Sequence, residues 1–269
     1  MTVPNSPPRP STLPSAAWIF LPSILSGALA LYVFFGGHNE DWFVITNAAA
    51  QYLLPAALWA GITNFGATLG AFSMLGPVLL WRPRWVASAV LAAPAAILYA
   101  QGLKAIFAEP RPAAVLGVDA ITVIGLPLRT NSFPSGHTTT AFVLAGVFTF
   151  CATAGERRWV GWVALALAAL VGFSRLAVGA HWPLDVFAGA AGGWLCAALG
   201  TWWADRWRFW EHARGLRITA VLLFILALAL AIEDLGYPEG MWSQYLLVAC
   251  GLLGAGWAWL HPRTVSKAT

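Results

Sequence analysis

Three short stretches of this chain carry residue types suited to phosphoryl transfer. The first runs from Lys104 through Glu109 and Pro110 to Arg111 and Pro112. The second is Ser132-Phe133-Pro134-Ser135-Gly136-His137, and the third begins at Ser174-Arg175 and reaches His181 and Asp185. Phosphoryl transfer is catalysed mainly by positioning and by neutralising charge on the transferring oxygens. Lys104, Arg111 and Arg175 supply three cations for that purpose. Ser135 and Gly136 stand where an apolar helix begins, and the free N–H groups and dipole of a helix start favour a bound anion. His181 and Asp185 are four residues apart, which on a helix puts them on one face. Asp185 then accepts a hydrogen bond from one imidazole nitrogen and leaves the other free to attack phosphorus. Pro183 suits the first turn of a helix, so His181 is expected at or just before its start. His137 suits the general acid that protonates a leaving oxygen.

These groups need a scaffold, and the composition says what kind. Of 269 residues, 59% are hydrophobic and only 10% charged, and the mean hydropathy is +0.70. A soluble domain carries roughly 25% charged residues, so most of this surface must face lipid. The net charge of +4 does not indicate nucleic-acid binding, because the basic residues lie in short clusters between apolar runs with no RNA- or DNA-binding motif. Cys151, Cys196 and Cys250 lie inside apolar runs, form no C-x-x-C pair and are odd in number. They read as small hydrophobes and not as a disulfide or zinc framework.

A spanning helix needs about 20 mostly apolar residues. Eight stretches qualify, at about 16–36, 54–81, 85–107, 135–153, 159–178, 184–204, 217–233 and 242–260; the second is long, and from Gln51 to Trp81 it has room for an interfacial turn before a tilted span. The expected fold is therefore all-α, a polytopic transmembrane helical bundle. The loops between these stretches alternate in charge. One side holds Arg9, Arg82, Arg84, Arg157, Arg158, Arg206, Arg208, Arg214, Arg217, Arg263 and Lys267; the other holds only Lys104, Arg111, Arg129 and Arg175. The positive-inside rule makes the richer side cytoplasmic. Both termini are then cytoplasmic, and the three chemical stretches share the opposite face. A charge at the centre of a bilayer-spanning helix costs roughly 2.5–3.5 kcal/mol, so basic residues at span ends on the charge-poor side point to function rather than to solvation.

Joined in this order and spacing, the stretches read K-x6-R-P, P-S-G-H and S-R-x5-H-x3-D. They resemble the signature of the type 2 phosphatidic acid phosphatase superfamily over roughly residues 50–205. The resemblance implies a six-span core with its site on the outer face. It implies His181 as a nucleophile forming a phosphohistidine, Asp185 as its orienting partner and His137 as the acid. Lys104, Arg111, Ser135, Gly136 and Arg175 would hold the phosphate, and no metal or other cofactor is implied. The implied activity is hydrolysis of a lipid phosphate or pyrophosphate in a bacterial inner membrane, with the bilayer and its lipids as partners. Undecaprenyl pyrophosphate, phosphatidate, phosphatidylglycerol phosphate and lipid A phosphate all fit. A lipid phosphotransferase passing the same intermediate to a hydroxyl acceptor is an alternative, as is a non-enzymatic anion-binding or transport protein.

Three regions are expected: a disordered tail at 1–15, the catalytic membrane domain at 16–205, and a segment at 206–269 with two further spans. In the last, Asp205 to Arg217 mixes Trp207, Phe209 and Trp210 with arginines and reads as an interfacial helix. Gly189 and Gly193 form a G-x-x-x-G suited to close helix packing. Thr63 and Asn64 read as helix–helix hydrogen-bonding residues, Glu109 as a partner for a neighbouring arginine, and Glu40 and Asp41 as an outer solvated loop. Residues 113–133 are apolar for a loop and are expected over the site or along the membrane surface.

Overall fold

The computed structural model describes residues 14–262. Most of the expected tail at 1–15, together with Arg9, Arg263 and Lys267, lies outside the described residues. All regular structure among the described residues is helical. In chain order the α-helices are α1 (Ala16–Gly36), α2 (Asn39–Leu53), α3 (Ala56–Asn64), α4 (Thr68–Ser73), α5 (Leu75–Val78), α6 (Pro83–Phe107), α7 (Pro112–Val115), α8 (Gly136–Cys151), α9 (Arg157–Ala177), α10 (Pro183–Trp207), α11 (Ala213–Ile232) and α12 (Met241–Leu260). Among the described residues six elements are long and apolar enough to cross a membrane, at Ala16–Gly36, Pro83–Val115, Arg157–Ala177, Pro183–Trp207, Ala213–Ile232 and Pro238–Leu260, and the bent pair α2 and α3 would make a seventh if it crosses as one span. α8, with 16 residues, is apolar but shorter. The protein is an integral membrane protein.

α10 is the centre of the bundle and packs against α8, α6 and α1. Its small residues make this possible. A Cβ at Gly193 would lie 2.3 Å from the carbonyl oxygen of Thr139, and one at Gly189 would lie 2.7 Å from that of Ser135. The G-x-x-x-G stripe therefore lets α10 approach the backbone of α8 directly. α9 closes the other side of α8 and meets α2 and α3, while α11 and α12 form a hairpin against α4 and α5.

The expected span at 54–81 does not exist as one helix. Pro55, which disfavours helical geometry in the residue before it, stands between α2 and α3, and the two meet at 110°. The chain then breaks again around Gly66 and continues as the short α4 and α5. The expected interfacial helix at 205–217 is also absent. α10 continues through Asp205 to Trp207, Arg208 takes a left-handed φ of 46°, a 3-10 turn covers Phe209–Glu211, and α11 starts at Ala213. Glu40 and Asp41 are not in a loop; they occupy the first turn of α2, where carboxylates complement the helix dipole.

Candidate active site

The three chemical stretches meet at one end of the bundle. α6 ends after Lys104 with Ala108 in a left-handed conformation. The chain then pairs with the segment before α8: the Arg111 N–H donates to the Arg129 carbonyl at 2.9 Å, and the Ser132 N–H to that of Glu109 at 2.9 Å. The first and second stretches are thus zipped together before either reaches its helix. The Ser135 N–H donates to the Asp185 carbonyl at 3.0 Å, which ties the second stretch to the third. The third stretch turns at Gly179, whose φ is +75° and whose absent Cβ would sit 2.5 Å from the Thr122 carbonyl oxygen. Only glycine fits that left-handed turn and that close approach, and the turn aims His181 back into the bundle.

His181 lies just before α10, whose first residue is Pro183. Asp185, in the first turn, reaches back to it. The His181 Nδ1–H donates to Asp185 Oδ2 at 3.1 Å. The same oxygen accepts from the Trp182 N–H at 3.0 Å and from Ser132 Oγ–H at 2.5 Å. Three donors and a 2% exposure fix the carboxylate, and the carboxylate fixes the imidazole tautomer. Nε2 is left with its lone pair and accepts from Arg111 Nη1 at 3.2 Å. Burial, then the charges of Arg111, Arg175, Lys104 and His137, push the His181 pKa well below the ordinary histidine value. The ring is neutral at neutral pH, the form a nitrogen nucleophile needs.

Arg111 also donates to the backbone carbonyls of Thr130 at 2.8 Å, Ala180 at 3.0 Å and Asn131 at 3.2 Å. Lys104 Nζ donates to the Asn131 carbonyl at 2.5 Å. Arg175, at the end of α9 and 1% exposed, donates from Nη1 to the Thr63 hydroxyl and lies over the Tyr237 ring at 5.5 Å from the centroid. Its Nε has no hydrogen-bond partner. Ser135 caps α8, its Oγ accepting from the Thr138 N–H at 3.4 Å and hydroxyl at 2.9 Å. Gly136 and His137 are the first residues of that helix, and His137 lies within electrostatic reach of Arg175, Arg111, Lys104 and His181. All eight sequence-selected residues therefore gather at this end.

A family model described as the PAP2 superfamily matches residues 83–209. The crystal structure of Aquifex aeolicus LpxE superposes with a TM-score of 0.53 at 30% identity, over 60% of this chain and 93% of that one. The chain belongs to the PAP2 superfamily. A transmembrane PAP2-type phosphatidylglycerolphosphate phosphatase from Bacillus subtilis shares the fold at 21% identity, with a TM-score of 0.52 over 70% of this chain and 98% of that chain. Among curated proteins, a lipid A 1-phosphatase of Porphyromonas gingivalis is 42% identical over 76 residues, which is 28% of this PAP2 chain and 17% of the relative. An undecaprenyl-diphosphatase of Sulfolobus acidocaldarius is 42% identical over 71 residues, 26% of this chain and 29% of the relative. The matched regions are thus less than a third of the length of either curated protein.

Three residues at this PAP2 site were not singled out for it by the sequence. Ser132 bonds Asp185 and had a visible signal, since it opens the stretch that ends in His137. Thr63, expected only to join helices, holds Arg175. Tyr237 comes from the turn between α11 and α12, far from any motif. Asn64 does join helices, donating to the Gly240 carbonyl and to Ser243 Oγ, each at 3.0 Å. Glu109 forms none of the ion pairs found among the described residues; its backbone carbonyl pairs with Ser132 instead. Ser174, within the third stretch, donates to the Val171 carbonyl at 2.6 Å and so serves its own helix. The 113–133 loop is stitched down beside the site. The Thr122 N–H donates to Asn47 Oδ1 at 2.9 Å and the Leu126 N–H to the Gly236 carbonyl at 2.8 Å.

Proposed function

We propose that this protein is a lipid phosphatase that cleaves a phosphate or pyrophosphate head group by way of a phosphohistidine on His181. The observation that carries the reading is the His181 ring itself. Nδ1 is held by a buried carboxylate, and the Nε2 lone pair faces the guanidinium of Arg111. A phosphate that draws Arg111 onto its oxygens brings phosphorus up to Nε2. Arg175 Nε, a buried donor without a partner, supplies a second contact, and Lys104 and the start of α8 complete the charge balance.

In the first step the Nε2 lone pair forms a bond to phosphorus and the bond to the leaving oxygen breaks. His137 gives its proton to that oxygen. In the second step His137 takes a proton from water as the water oxygen attacks phosphorus, the P–N bond breaks, and free phosphate leaves. Asp185 stabilises the imidazolium character that develops on His181 in the transition state.

The lipid tail has a matching route. A cleft of about 800 Å3 opens beside Asp185, lined by Leu31 and Phe34 of α1, Phe107, Phe133, Leu184 and Ala188. Relatives include both lipid A 1-phosphatases and undecaprenyl-diphosphatases, which supports a lipid phosphate or diphosphate as the substrate. By the charge distribution of the loops, the site faces the periplasm.

The test is phosphate release by purified wild type and His181→Ala in EDTA, against undecaprenyl pyrophosphate, phosphatidate, phosphatidylglycerol phosphate and lipid A. Release by wild type alone supports the mechanism and ranks the substrates. Equal release by the variant rules out His181 as nucleophile. A need for added Mg2+ contradicts a metal-free step, and release that appears only with a hydroxyl acceptor favours the transferase reading.

A further inference from the structure

Arg175 is gripped from two sides by residues that lie outside the matched segment 83–209. On one side is Thr63 of α3, fully buried, whose hydroxyl accepts from Nη1. On the other is the ring of Tyr237, 5% exposed, in the turn between α11 and α12. The two grips are themselves joined. Asn64, the neighbour of Thr63, donates to the carbonyl of Gly240 and to Ser243 Oγ. The Trp242 indole N–H donates to the Ala57 carbonyl at 3.1 Å, and a Cβ at Gly240 would lie 2.8 Å from the backbone of Ala60. α3 and the C-terminal turn are thus joined by hydrogen bonds and close backbone packing. Tyr237 packs in a cluster with Ala177, Val178 and Ala180, the residues that lead from Arg175 to His181. Its own loop is pinned by the Leu126–Gly236 bond.

A guanidinium on a long side chain loses rotamer freedom when it is fixed, and that loss is otherwise charged to substrate binding. From this geometry we infer that Thr63 and Tyr237 are positioning residues for phosphate recognition, and that the C-terminal hairpin is present to hold Arg175 in its phosphate-binding pose. The hydroxyl sets the in-plane direction of the guanidinium. The ring supports its face by a cation–π contact in a buried setting. Nε remains the edge that can turn to an anion. The inference rests on the phosphatase reading, since it assigns Arg175 to phosphate.

The test measures the dissociation constant for orthovanadate, a mimic of the five-coordinate phosphoryl group, by calorimetry on the full-length protein in detergent. Melting temperatures are recorded alongside. Tyr237→Leu and Thr63→Val are each expected to weaken vanadate binding about 3- to 30-fold, the range a cation–π contact or a charged-group hydrogen bond spans. Tyr237→Phe, which keeps the ring, and Thr63→Ser, which keeps the hydroxyl, should recover most of the loss. In an Arg175→Gln background, which has no cation to hold, Tyr237→Leu should add nothing further. A role in stability alone would lower the melting temperature while leaving the vanadate constant in place, and that result overturns the inference. So does an equal loss from Tyr237→Leu with and without Arg175. If Tyr237→Leu does not fold, Thr63→Val decides the matter by the same criteria. Wild-type protein that binds no vanadate defeats the phosphatase reading and this inference together. Wild-type binding with unaffected variants defeats this inference alone.

Discussion

Arg111 and Arg175 bring the same functional group to the same end of the bundle, but they are held by different means. Arg111 is fastened by backbone carbonyls at Thr130, Asn131 and Ala180. Those acceptors exist whatever the side chains are, provided the loop keeps its path. Arg175 is fastened by two side chains, Thr63 and Tyr237, that belong to the outer frame. The first arrangement is built into the backbone of the motif segments. The second depends on distant sequence and can be changed by a single substitution far from any motif. The site thus has an inner part, carried by local chain geometry, and an outer part, carried by packing.

The largest effect expected within the inner part comes from His181→Ala, which should remove turnover altogether while leaving the fold intact; phosphate release and size-exclusion profiles check both halves of that statement. Asp185→Asn comes next. It keeps the shape but loses the charge that holds the tautomer, and a fall of about 10²- to 10⁴-fold in kcat is expected from comparable orienting carboxylates. Rates within a few-fold of wild type would mean that Asp185 serves only the start of α10. Arg175→Ala and Arg111→Ala should each cost about 10²- to 10³-fold in kcat/KM, as removal of one preorganised donor does. The two should diverge when lysine is substituted, since Lys at 111 can still meet the carbonyls whereas Lys at 175 cannot present a flat face to Tyr237. Equal losses for the two lysine variants would break the contrast. Ser132→Ala removes one of three donors to the Asp185 carboxylate and should lower kcat about 10- to 100-fold, the value of one hydrogen bond to a charged group.

The pH dependence sharpens the same division. Because the His181 pKa is lowered, its imidazole stays neutral as the pH falls through the ordinary histidine range and is protonated only below it. The acid limb of kcat/KM should therefore lie below pH 6.5 insofar as His181 governs it, and removing the positive charge of Arg111 by Arg111→Gln should move that limb upward. A limb that does not move would assign the acid titration to another group.

Much of the inner part was legible from residue order alone. Ser135 as the cap of α8, Pro183 at the start of α10 and Asp185 reaching back to His181 follow from helix-start chemistry, which is local and needs no knowledge of the fold. His181 was expected at or just before the start of α10, and it stands there, where Asp185 in the first turn reaches back to it. The failures were of another kind. The run from 54 to 81 is apolar enough to read as one span, yet Pro55 and the break near Gly66 divide it. Hydropathy averages over such breaks, whereas backbone geometry does not. The stretch from Asp205 to Arg217 looked amphipathic, but a left-handed residue at Arg208 turned it into a helix end and a tight turn.

The sequence by itself determined that this chain lives in a membrane, that three cations, two histidines and a carboxylate come to one level, and where the helices beside them start. Those features depend on composition, spacing and local backbone preference, all of which act within a turn or two of the chain. Only the tertiary structure decided that Thr63 and Tyr237 meet at Arg175, 112 residues along the chain from Thr63, and that the C-terminal hairpin reaches the site at all. Such contacts arise from how helices stack, and stacking is set by the sum of many small packing choices, such as Gly193 against α8 and Gly240 against α3, none of which marks its distant partner in the sequence.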